Sequence, residues 1–122
     1  MRWRFFVMFE PKVFDNTDYE SRLAYNHELM TLVAVEFVKE ATTLLGVLQA
    51  HMADEDWDNF ALVAHRLKGA ALEVSGYRFC RLIAEMEKLS IKRESGLLPT
   101  RSMALNEEFE ALVLALNQEV LR

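Results

Sequence analysis

With 122 residues, 52% of them hydrophobic and 27% charged, the chain has the size and balance of one soluble globular core and excludes a disordered or fibrous protein. Four Gly and two Pro are too few for a turn-rich β-sandwich, and the single Cys excludes an internal disulfide and is consistent with a reducing compartment. A formal net charge of −5 argues against a nucleic-acid binder and an anionic membrane surface, and no apolar run approaches the ~20 residues that span a bilayer.

The apolar run Phe5 to Phe9 is shorter than the ~7–15 residues of a signal-peptide core, has no small-residue cleavage site and runs into Glu10, Pro11 and Lys12. A cytoplasmic protein is therefore expected. Trp3 and Phe5 to Phe9 fit a strand, an extension of the bundle or an exposed arm equally well. Residues 1–12 are accordingly set apart as an arm of open role from a domain over 13–122.

A short helix is expected between Asp15 and Tyr25, with Tyr19, Leu23 and Tyr25 covering one end of the core. Next, Met30, Val33, Ala34, Phe37, Ala41, Leu44, Leu45, Leu48 and Met52 recur in steps of three and four, the stripe of a long amphipathic helix. Asn26 is the expected N-cap, Glu28 suits the positive end of the helix dipole, and His51 lies at the other end. Asp54, Glu55 and Asp56 signal a new start, one capping and the others facing the dipole. That helix should run from Trp57 to Ser75, with Gly76 available as a left-handed C-terminal cap. Phe79, Leu82, Ile83, Met86 and Leu89 form a third stripe ending near Ser95 and Gly96, where Pro99 forbids continuation. Leu105, Phe109, Leu112, Val113, Leu116 and Val120 form a fourth, capped by Thr100 or Ser102. Four one-sided helices of roughly 16–25 residues on short links predict an all-α fold, an antiparallel up-down-up-down four-helix bundle with a short additional N-terminal helix.

The helix from Trp57 carries the chemistry. At about 100° per residue, Trp57, Phe60, Ala64, Leu67 and Ala71 share its core side. His65 falls on the flank of that stripe, with Ala61, Leu62 and Leu72 as a partly apolar surround. Gly69 is the odd residue, because a mid-helix glycine costs about 0.5–1 kcal/mol relative to alanine. One turn after His65, where a side chain would crowd the ring, it leaves the imidazole open. Lys68, three residues after His65, can reach an anion held by the ring. A nucleophilic nitrogen, a positive charge beside it and an empty space above it suit an imidazole that carries a phosphoryl group. The bland readings are a boundary histidine and a glycine kept for close helix packing.

Other residues offer less. His51 with Asp54, Glu55, Asp56 and Asp58 reads as a capped helix start rather than a metal site. His27 reads as a solvated first-turn residue and Cys80 as a small packing residue. Arg78 and Arg81 read as solvated helix charges, with reception of a phosphoryl group or an acidic partner as the sharper alternative.

Ala64-His65-Arg66-Leu67-Lys68-Gly69-Ala70-Ala71 resembles the signature of the histidine-containing phosphotransfer (HPt) domain family, A-H-x-L-K-G-[SA]-[SA] followed by a glycine. Val13-Phe14-Asp15, Asn26 to Met30, Phe37, Asp56-Trp57 and Met86-Glu87 extend the resemblance over residues 13–90. There is one departure. The family's second glycine, ten residues after the histidine, is Ser75 here, with Gly76 one later.

The resemblance implies that His65 is the phosphorylated residue, Lys68 its electrostatic partner and Gly69 the access glycine, with Ala61, Leu62 and Leu72 in the partner surface. It implies a phosphorelay intermediate that takes a phosphoryl group from one receiver-domain aspartyl phosphate and passes it to another receiver-domain aspartate. The implied partners are response-regulator receiver domains and a hybrid sensor histidine kinase, with no nucleic acid and no membrane. No cofactor of its own is expected. The chain shows no convincing Mg²⁺ carboxylate set, so Mg²⁺ should come with the receiver. Nor is an enzyme in the usual sense expected, because a bundle uses up the chain and no Gly-rich phosphate loop serves ATP. The alternative function is a non-phosphorylated adaptor, against which retention of His65, Lys68 and Gly69 together argues. A free-standing monomer is expected, unless the apolar residues 1–9 find a surface on a second copy.

Overall fold

The computed structural model describes residues 11–122, and the expectations for residues 1–10 lie outside the described residues. In chain order the elements are α1 (Asn16–Arg22), α2 (His27–Ala53), α3 (Trp57–Glu73), α4 (Tyr77–Ile91), a 3-10 turn (Ser95–Leu97) and α5 (Leu98–Glu119), with no strand among the described residues. The all-α bundle with a short leading helix is thus the observed architecture.

Three helices begin where the sequence supplies a side-chain acceptor for an orphan N–H. Asp15 Oδ1 accepts from Asp18 N at 3.1 Å, Asn26 Oδ1 from Leu29 N at 3.1 Å, and Asp56 Oδ1 from Asn59 N at 3.3 Å. Of the three consecutive acids, only Asp56 caps α3. Asp54 closes α2, and Glu55 takes the left-handed backbone between them at φ 54°.

The start of α5 differs from expectation. Neither Thr100 nor Ser102 caps it: the helix opens at Leu98, and Ser102 is buried within it. Pro99 sits in the first turn, where its fixed φ suits the helix and its missing N–H costs nothing, so it starts this helix. Tyr25 also departs from expectation. It occupies the left-handed turn between α1 and α2 at φ 58° and stands exposed, whereas Tyr19 is fully buried.

The core forms where the stripes meet. Short links make neighbouring helices antiparallel, with α4 packed most extensively on α3, α2 on the other side of α3, and α5 against α4. Phe37, Phe79 and Phe109 join α2, α4 and α5, with ring centroids 5.5–6.4 Å apart. Tyr19 carries its hydroxyl into the core, where it donates to the Met30 carbonyl at 2.5 Å. Burial of that ring pushes its pKa up to about 12. Among the described residues no helix is long and apolar enough to cross a membrane.

The turn between α3 and α4 is the largest local surprise. The helix ends at Glu73, and the left-handed residue is Ser75 at φ 55°, whereas Gly76 lies at φ −89°. Gly76 is needed for space: a Cβ there would lie 2.6 Å from Leu112 Cδ2 on α5. Ser75 offsets the strain of its backbone with its hydroxyl, which donates to Asp18 Oδ2 at 2.7 Å and accepts from Arg22 Nη2 at 2.6 Å. Arg22 Nη2 also donates to the Leu72 and Glu73 carbonyls, at 2.9 and 3.1 Å, closing the end of α3. The short helix α1 is therefore a clamp on this turn.

Asp18 Oδ2 gathers donors from Tyr77, Ser75 and Arg22. The Tyr77 bond first, then the Ser75 bond, hold its carboxyl below the usual carboxylate range. A folded pKa below the unfolded value of about 3.9 stabilises the fold above that value, and this stability is lost as the pH falls through the folded pKa. Asp18→Asn should therefore lower the unfolding free energy at pH 7 by on the order of 1 kcal/mol, a modest figure because the carboxylate is 34% exposed. The deficit should shrink as the pH falls below about 3.9 and on through the lowered folded pKa. Urea unfolding of both proteins across this range tests it, and a deficit that stays constant with pH would contradict the charge-assisted origin.

Candidate functional site

His65 stands on the outer flank of α3 with its side chain 68% exposed. Its Nδ1 lies 3.1 Å from Glu87 Oε2 on α4, and the other oxygen of the same carboxylate accepts from Lys68 Nζ at 2.9 Å. Glu87 is 15% exposed and Lys68 28%, so the carboxylate lies in the α3–α4 seam and the imidazole projects from it. A carboxylate can only accept, so in the neutral ring Nδ1 carries the proton and Nε2 keeps its lone pair. The seam thus fixes tautomer and ring orientation together, with a cation one helical turn away.

Glu87 is the residue that sequence reasoning missed as part of the site. It was visible only as half of the Met86-Glu87 pair. Its signal is its place beside the buried Met86, on the edge of the stripe by which α4 packs on α3.

Gly69 is exposed, and a Cβ built on it would meet nothing within 4 Å. Close helix packing therefore does not require this glycine. The expected crowding is also qualified, because a Cβ alone has room and only a longer side chain can reach over the site. Leu62 and Leu72 are exposed on α3 and Ala61 is half-buried. Exposed Leu29 and Leu32 on α2 add apolar surface the sequence reading had not included. The α2–α3 flank carries the Arg66–Glu40 pair at 4.0 Å.

Arg78 and Arg81 are not brought to this site. Arg78 Nη2 donates to Glu108 Oε1 at 2.6 Å, and both arginines line a groove between α4 and α5 with Pro11, Leu82, Glu85 and Glu108. His27 is exposed at the first turn of α2. His51 Nδ1 lies 3.9 Å from Asp56 Oδ2, and Asp58 pairs with Arg93 at 2.6 Å. Among the described residues no three His, Cys, Asp or Glu side chains come together as metal ligands. Cys80 is buried with Sγ 3.8 Å from the Lys68 carbonyl, and burial pushes its thiol up, which suits a packing residue.

Comparison with known proteins bears on the family and the fold. The Hpt domain family model matches residues 33–119. Among solved structures, the chain is similar to histidine-containing phosphotransfer protein B (HptB) from Pseudomonas aeruginosa PAO1, with a TM-score of 0.85 at 18% identity over 93% of this chain and 98% of that one. At that identity the likeness speaks for the fold alone. No curated protein matches the chain. Hpt domain proteins are phosphocarriers of two-component phosphorelays rather than kinases, and they interact with receiver domains and histidine kinases. A family match over most of the chain, spanning the whole helix that presents His65, makes this a phosphotransfer protein of the Hpt domain family.

Proposed function

We propose that the chain is a phosphorelay intermediate in which His65 Nε2 takes a phosphoryl group from an aspartyl phosphate of one receiver domain and gives it to an aspartate of another. The observation that carries this reading is the Glu87 carboxylate, which holds the His65 Nδ1–H with one oxygen and the Lys68 ammonium with the other. In the forward step the Nε2 lone pair forms a P–N bond while the acyl-phosphate P–O bond breaks and the donor aspartate leaves as a carboxylate. The Nδ1 proton stays on the ring, and Glu87 stabilises the positive charge that develops there. Transfer to the second aspartate reverses these bond changes. Such transition states are loose, so positioning and charge neutralisation supply most of the rate. Lys68 neutralises charge on the moving phosphoryl oxygens, and Gly69 keeps its approach open.

Mg²⁺ comes with the receiver, whose carboxylates hold it, and the chain contributes no cofactor. Ala61, Leu62 and Leu72 surround the imidazole in the contact with the receiver. The setting is cytoplasmic, and the partners are response-regulator receivers and the receiver of a hybrid sensor histidine kinase.

A receiver domain charged with radiolabelled acetyl phosphate should pass label to the wild-type chain as an acid-labile, base-stable phosphoramidate, and His65→Gln should accept none. Label on the variant would overturn the assignment.

Glu87→Ala should remain folded and slow transfer roughly 10–100-fold, equivalent to about 1–3 kcal/mol of lost charge-assisted hydrogen bonding. Glu87→Gln should lose less, because its amide oxygen still accepts from Nδ1–H. Quench-flow rates for the two variants test this, and equal losses would mean that charge alone matters.

Gly69→Ala should raise stability by up to ~1 kcal/mol, since its Cβ is unopposed. Gly69→Gln, by contrast, should fold and still slow transfer strongly. Thermal unfolding and transfer rates read the two effects apart, and unchanged rates for Gly69→Gln would remove the access role.

A further inference from the structure

Five α4 residues, Ala84, Glu87, Lys88, Ile91 and Lys92, fall in steps of three and four on one face of that helix. This is not the core face, which buries Phe79, Cys80, Ile83, Met86 and Ser90. Together with Lys68 of α3 these residues line a groove of about 320 Å³ that opens directly beside the His65–Glu87 pair. The groove combines two features seldom placed together without use. Ile91 is a large apolar side chain that stands 63% exposed. Around it are three ammonium groups against one carboxylate. Lys68 is paired with Glu87, while Lys88 and Lys92 have no ion-pair partner among the described residues. In a chain of net charge −5, this is a local positive island that begins at the reactive imidazole.

The geometry points to this α4 groove as the electrostatic half of the docking surface for the receiver, taking the acidic rim of its phosphorylation site. The inference rests on the proposed function and adds to it a surface that the α3 residues Ala61, Leu62 and Leu72 do not include. Charge complementarity selects the occupant. A receiver that holds an aspartyl phosphate and the carboxylates for its Mg²⁺ presents negative charge around the group that must reach His65. Ile91 gives the same contact an apolar anchor, and the lysines fix its orientation. Attraction of this kind acts on encounter and register more than on the chemical step.

The test compares Lys88→Glu/Lys92→Glu with Lys12→Glu/Arg122→Glu, which changes net charge equally away from the groove. Lys12 sits by the first turn of α4, where its carbonyl accepts from Arg78 N, and Arg122 ends the chain. Each protein is charged on His65 with phosphoramidate and mixed with a purified receiver domain that accepts phosphate from the charged wild type. Transfer is followed against receiver concentration at about 50 and about 300 mM salt. The groove variant should show a KM for the receiver raised about tenfold or more, with the loss on KM rather than kcat, and a flattened salt dependence. The control should keep the wild-type KM and salt slope. Equal KM values for groove variant and wild type would overturn the groove while leaving the relay intact. Equal losses in both variants would reduce the effect to net charge and also overturn it. If no receiver accepts phosphate from the charged wild type, the relay reading itself falls, and the groove with it.

Discussion

Glu87 reaches both His65 and Lys68 only because α3 and α4 are held in a single register by the turn at Ser75 and Gly76. The carboxylate lies 22 residues beyond the imidazole in the chain, and a slip of one helical position would carry it out of reach. Two constraints prevent that slip. Gly76 lets Leu112 of α5 close on the turn, and Ser75 is fastened by Asp18 and Arg22 from α1. The short helix α1 thus controls the geometry at the exposed imidazole of His65. A helix pair of this length packs through apolar area, which tolerates small slides, whereas the hydrogen bonds at the turn do not.

The charges at the site contribute more to orientation than to stability. Ion pairs this close to water are worth little, and a partly buried pair loses most of its Coulomb attraction to desolvation. What Glu87 supplies instead is direction, since the two carboxylate oxygens leave one ring nitrogen protonated and the other free. Gly69 follows the same logic. It gives up about 0.5–1 kcal/mol of helix propensity at a place where nothing opposes a side chain, and the stability forgone keeps the space beside the ring empty. On the proposed function, activity and stability would be in tension along this one helical face.

Lys88 and Lys92 line the groove beside the His65–Glu87 pair, and Leu62 and Leu72 stand exposed on the helix that carries His65. On the proposed function, a receiver that met both would be oriented before any bond changes. The hydrophobic side supplies area, and the lysine side supplies direction at a distance of about a Debye length, roughly 8–10 Å in ordinary salt. This division separates how tightly a partner is held from how quickly it finds its pose.

The amino-acid sequence by itself determined whatever depends on neighbours three and four residues away. The stripes along α2, α3, α4 and α5 are local periodicity and the cap at Asn26 is a local hydrogen bond, so both could be read directly, whereas the local pattern leaves open which of Asp54, Glu55 and Asp56 caps α3. The motif from Ala64 to Ala71 was equally legible, because His65, Lys68 and Gly69 lie within about one turn of the same helix. Only the tertiary structure decided the rest. Glu87 enters the site from another helix, and nothing within its own stretch of chain reports the partner across the seam. Ser75 rather than Gly76 takes the left-handed backbone because Leu112 needs the space at Gly76 and Asp18 and Arg22 hold the Ser75 hydroxyl, three residues from two distant segments. Pro99 starts α5 where the local rule allowed it equally to mark a stop. For Glu87 and for the turn at Ser75 and Gly76 the deciding contact spans tens of residues, and a pattern read along the chain carries no information about which distant atoms will fill a given space.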